Sequence, residues 1–122
     1  MVTPALRART WSGQTFDNPT EETLFDLLSE MNLRHRYLTV ERLTTEPSGQ
    51  HYMQVRLNDD WSCHLEYRDG GSEQRFQARV PGPFEMAGHD IAARVLTSWA
   101  FGVPGWKEAL PWVQEQDPHG QP

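Results

Sequence analysis

Cys63, His64 and Glu66 fall within WSCHLEYRDGG, residues 61–71. A thiol, an imidazole and a carboxylate are the ingredients of nucleophilic catalysis, in which a base activates the thiol and an acid orients the base. The spacing argues against that use. Trp61, Cys63, Leu65 and Tyr67 alternate with Ser62, His64, Glu66 and Arg68 at the period of a half-buried strand. Successive strand side chains point to opposite faces, so Cys63 and His64 cannot pair with each other. His64, Glu66 and Arg68 do share a face, but so do the polar residues of any exposed sheet surface. Cys63 reads as a buried small hydrophobe. A cysteine hydrolase would need Cys63 exposed beside a histidine from elsewhere. His51 on the preceding strand is the nearest candidate, and both positions read as inward-facing.

Other chemistries find little support. The five histidines, His35, His51, His64, His89 and His119, include no pair at the i,i+4 spacing of a helical metal site. A lone cysteine excludes the two-thiolate zinc patterns. No glycine-rich phosphate loop follows a strand, and no G-x-S-x-G motif occurs. The expectation is a protein that is not an enzyme, with no catalytic residue, metal or cofactor.

The elements around this strand define a sheet. RYLTVERL (36–43), HYMQVRL (51–57), 61–68 and 74–80 read as four strands separated by turns at Glu46–Gly49, Asn58–Asp60 and Asp69–Ser72. Short connections imply an antiparallel meander. Its inner face would carry Met53, Val55, Leu57, Trp61, Cys63, Leu65, Tyr67, Phe76, Ala78 and Val80. Gln54, Arg56, His64, Glu66, Arg68, Arg75, Gln77 and Arg79 would form the outer face. A weaker strand signal lies around Ala8–Trp11.

Two helices accompany the strands. The first starts at Asn18-Pro19-Thr20-Glu21, with Asn18 as cap and Glu21 at the capping-box position, and ends near Asn32. Leu24, Leu27, Leu28 and Met31 form its apolar stripe. The second runs from about Glu85 to Ala100 with Met86, Ile91, Val95, Leu96 and Trp99 buried, and Gly102 and Pro104 stop it. A further turn fits Trp106–Leu110. Pro81-Gly82-Pro83 breaks the sheet, and residues 114–122 read as a polar tail. The fold class is α+β: a single antiparallel meander of four to five strands with two main helices packed on one face.

Bulk properties bound the function. A chain of 122 residues is one domain, with a core expected over about 6–113. No apolar run reaches signal-peptide or membrane-span length, and one cysteine ties the fold to no oxidising compartment, so a cytoplasmic protein without membrane contact is expected. Net charge is −6, and Asp17, Glu21, Glu22, Asp26 and Glu30 lie between Trp11 and Leu33 with no Lys or Arg among them. Such a region repels phosphates, which argues against direct nucleic-acid binding, and attracts a basic partner. Trp99 and Trp106 read as lids over the core edge. Trp61, beside two carboxylates, reads equally as a lid or as an interface anchor.

The order of features resembles the immunity protein one family of bacterial polymorphic toxin systems. An acidic first helix is followed by a YMQV strand (52–55), a strand ending LEYRDG (65–70) and a last helix leading to PGWKEALPW (104–112). The resemblance spans roughly Trp11 to Trp112. It implies a non-enzymatic protein that binds a cognate toxin one-to-one and neutralises it in the producing cell. The toxin is often of the cytidine-deaminase superfamily, which attacks bases with a zinc-activated water. An inhibitor of such an enzyme gains by offering carboxylates to a basic groove and an aromatic where a base would stack. Asp59, Asp60 and Trp61 at one turn and Asp69 at the next fit that role first. Glu66 and Arg68 come second, and the helix bearing Glu22, Asp26 and Glu30 third. A rival binder is a secretion chaperone, an acidic α+β dimer that wraps a client segment.

Overall fold

The computed structural model describes residues 5–32, 34–44, 51–70, 74–80 and 89–114. In chain order the elements are β1 (Leu6–Thr10), β2 (Thr15–Asp17), α1 (Glu21–Ser29), β3 (Tyr37–Arg42), β4 (His51–Leu57), β5 (Cys63–Asp69), β6 (Arg75–Val80), α2 (His89–Phe101), α3 (Trp106–Ala109) and β7 (Val113–Gln114). The expected turn at Glu46–Gly49, the break at Pro81–Pro83, Met86 and residues 115–122 lie outside the described residues.

The seven strands make one antiparallel sheet in the order β2-β1-β3-β4-β5-β6-β7. The α+β class therefore stands, while the four to five strands and two main helices become seven strands and three helices among the described residues. The additions have a physical cause. β2 and β7 are three and two residues long, too short to show a period, and both sit at sheet edges. α3, the further turn expected near Trp106, is four residues long.

Alternation does the sorting in β4, β5 and β6. Met53, Val55, Leu57, Cys63 and Leu65 are fully buried, and Tyr67, Ala78 and Val80 nearly so. Trp61 and Phe76, expected on the same inner face, are half-buried and pack against its margin. Leu24 and Leu28 from α1 and Ala92, Val95, Leu96 and Trp99 from α2 complete the core. Each leucine fully buried there contributes about 1.5–3 kcal/mol relative to an exposed one. Tyr67 stacks on Phe76 with centroids 4.9 Å apart, and Trp106 and Trp112 each meet Tyr67 edge-on at 4.8 Å. Trp99 and Trp106 thus cover the core as expected.

The helix termini revise two sequence readings. Thr20, not Asn18, caps α1: its hydroxyl accepts from the Thr23 amide at 3.1 Å. Asn18 has φ 48°, and its Oδ1 accepts from the amides of Ala5 and Leu6, tying the start of β1 to the entry of α1. With Thr20 as cap, Glu21 is the first helical residue and cannot serve a capping box. In α2, Ile91 is 37% exposed and Ala92 and Ala93 are buried in its place. Gly102, at φ 72°, ends α2 where a left-handed residue is needed. There the Val103 amide donates to the Ser98 carbonyl and the Gly102 amide to that of Trp99, a Schellman closure.

Candidate functional site

The β4–β5 turn that carries the first-ranked carboxylates is a closed network. The Asn58 amide donates to the Ser62 carbonyl at 2.9 Å, and Trp61 adopts φ 68°. Asp60 Oδ1 accepts from the Ser62 hydroxyl at 2.5 Å and from its amide at 2.9 Å, and Oδ2 meets Arg79 Nη2 at 2.6 Å. These contacts, the Ser62 hydroxyl first, hold the Asp60 carboxyl below its ordinary range. Asp59, with its side chain 88% exposed, pairs with Arg36 at 2.6 Å. Both acids therefore already face arginines of their own chain.

The remaining predicted residues are distributed along β5. Glu66 accepts the Tyr52 hydroxyl at 2.9 Å, and burial followed by that bond pushes the Tyr52 phenol up to about 12. Arg68 lies in register between Tyr52 and Arg75. Asp69 pairs with His51 Nδ1 at 3.3 Å. Asp60 and Asp69 flank opposite ends of β5, roughly 20 Å apart at about 3.4 Å per residue. The predicted residues form a turn, a pair on the open sheet face and a far end, not one cluster.

Cysteine chemistry between Cys63 and His51 is excluded by register. Cys63 pairs with Leu57 at one end of the β4–β5 ladder and His51 with Asp69 at the other, again roughly 20 Å away. Cys63 is fully buried, and burial pushes its thiol up to about 12, far from the depressed value of a reactive thiolate. His64 lies on the opposite, half-buried face. Among the described residues, no group of three His, Cys, Asp or Glu side chains could hold a metal ion.

The acidic helix, third in the sequence ranking, forms one wall of a depression of about 500 Å³ between α1 and the β1–β2 hairpin. Asp26 and Glu30 line that wall, and Leu27 and Met31 contribute apolar surface beside them. Across from them Trp11, 48% exposed, stacks on His35 with centroids 5.0 Å apart and planes 12° apart. Carboxylates, an indole face and apolar surface in one cleft suit a long cationic side chain, which buries its stem and keeps its head between charge and ring. Trp11 and His35 were missed as site residues. The signal for Trp11 was its place before Ser12-Gly13, a turn between strands; nothing local marked His35, which lies beyond α1. No helix of the described residues is long and apolar enough to cross a membrane. Comparisons with family models, curated proteins and solved structures found no match.

Proposed function

We propose that this chain is an immunity-type inhibitor that binds a cognate bacterial toxin one-to-one in the cytoplasm of the producing cell, without catalysis of its own. The toxin is a basic, nucleic-acid-targeting enzyme of deaminase type, and inhibition covers its active-site groove. One observation carries this reading: the cleft of Asp26, Glu30 and Trp11, in a region from Trp11 to Leu33 with no cation of its own to neutralise it. An arginine or lysine from the rim of a phosphate-binding groove fits there. The β4–β5 turn contributes an exposed Asp59 at the same end of the sheet, paired with Arg36 next to the His35 of the cleft.

Co-expression with the product of the adjacent gene tests the proposal. The two proteins should co-purify at 1:1, the partner should be toxic alone, and the free chain should be monomeric. A stable free dimer that takes up an extended client segment would favour a secretion chaperone instead. In the complex, Asp26→Lys with Glu30→Lys should weaken affinity by about 2–5 kcal/mol, as expected for buried interface charges. Affinity unchanged to within about 1 kcal/mol would remove the cleft from the interface.

A further inference from the structure

The face of the sheet turned away from the helices carries its side chains in three registered rows. One row runs Tyr37, Arg56, His64 and Arg79; the next Arg9, Thr39, Gln54, Glu66 and Gln77; the third Arg7, Glu41, Tyr52, Arg68 and Arg75. Six arginines thus stand on one surface, against Glu66 and three acids that already pair with arginines: Asp17 with Arg7 at 2.7 Å, Glu41 with Arg9 at 3.6 Å and Asp60 with Arg79 at 2.6 Å. Arg56 and Arg68 form no ion pair among the described residues. Arg68 sits directly across from Arg75, an arrangement of like charges that costs stability in a sheet, and the buried Arg68 Nε has no hydrogen-bond partner among the described residues. Arg68, held in register with no ion pair among the described residues, is what an external anion would repay.

We propose that this open face docks a carboxylate-rich protein surface, centred on Arg68 and Arg75. Arginine forks match carboxylates in bidentate geometry, and tyrosine with arginine is the pairing enriched where protein interfaces concentrate their affinity. The placement of Glu41 and Glu66 decides between a protein and a nucleic acid. A phosphate chain laid along the row of Arg68 and Arg75 would meet Glu41, and one along the next row Glu66, whereas a protein surface answers with a base at those two points and acids elsewhere. The face borders the α1 cleft at Tyr37, and the arginine rows, not the cleft, define the docking site.

Fluorescence anisotropy with two probes tests it: labelled poly-L-glutamate, and a labelled single-stranded oligothymidylate of equal charge, both in about 0.1 M salt, where the Debye length is about 10 Å. The chain should bind poly-L-glutamate at least about tenfold more tightly than the oligonucleotide. Arg68→Gln with Arg75→Gln should lower that affinity about tenfold or more, while Asp26→Lys with Glu30→Lys should not lower it. Should the double arginine variant fail to fold by circular dichroism, Arg56→Gln decides, with a smaller loss in the same direction. Tighter binding of the oligonucleotide, no binding of poly-L-glutamate, or binding indifferent to the arginine substitutions overturns the proposal.

Discussion

Trp61 occupies φ 68°, a region that costs an L residue about 1–2 kcal/mol and is usually left to glycine. It closes the three-residue loop Asp59-Asp60-Trp61, whose last position is the left-handed one in hairpins of this kind. The indole stays because it packs on the margin of the core. Truncating it should therefore separate the two effects. Trp61→Gly should be more stable than Trp61→Ala by about 1 kcal/mol in urea denaturation, because glycine relieves the backbone while both lose the ring. Alanine equal to or above glycine would mean the turn relaxes out of that conformation. His64 on the neighbouring strand offers a second residue-scale test. Burial lowers its pKa, Arg56 across the ladder adds to the effect, and Glu66 opposes it. A histidine with a depressed folded pKa stabilises the fold above its unfolded pKa and loses that contribution as pH falls through the folded one. Its NMR titration midpoint should lie below 6.5. Glu66→Gln should lower it further, and Arg56→Gln should raise it. A midpoint at or above the ordinary value would contradict the burial and charge described for this face.

At the scale of elements, what was legible in the sequence is what a local period can encode. The alternation of β4, β5 and β6 sorts Met53, Val55, Cys63, Leu65 and Val80 correctly because each strand spans several repeats and one of its faces is dry. β2 and β7 were not legible, since pairing at an edge through two or three residues is decided by the neighbouring strand's backbone. The candidate site failed for the same reason. The acids Asp59 and Asp60 were visible, but their partners Arg36 and Arg79 come from 23 and 19 residues away, and only the sheet register brings them in. Asn18 misled because it has the right residue type for a cap and is spent on Ala5 and Leu6 instead. Hydrogen exchange can separate the roles of Asn18 and Thr20. Thr20→Ala should cost about 1 kcal/mol and deprotect the Thr23 amide. Asn18→Ala should leave Thr23 protected and expose the amides of Ala5 and Leu6. The reverse pattern would restore Asn18 as the cap.

For the whole molecule, the net charge of −6 hides a segregated field. Glu21, Glu22, Asp26 and Glu30 project from the helical side, while Arg56, Arg68, Arg75 and Arg79 share the open sheet face behind it. A helix layer packs on a sheet at a separation of roughly 10 Å, close to the Debye length at about 0.1 M salt. Under those conditions a large charged object responds to the surface it approaches and not to the sum. At about 0.01 M the Debye length grows to roughly 30 Å, the two faces merge, and the net negative charge should dominate. The expected outcome at pH 7 is therefore retention on a sulfonate cation exchanger in about 0.05–0.1 M salt by a protein of pI 5.3, weakening as salt is either raised or lowered. Retention by an anion exchanger should instead grow steadily as salt falls. Replacing Arg68, Arg75 and Arg79 with Gln should abolish the first and strengthen the second. A chain that binds only the anion exchanger at every ionic strength would show that the arginines of the open face are compensated within the fold, and the division of the surface into two fields would fall with that result.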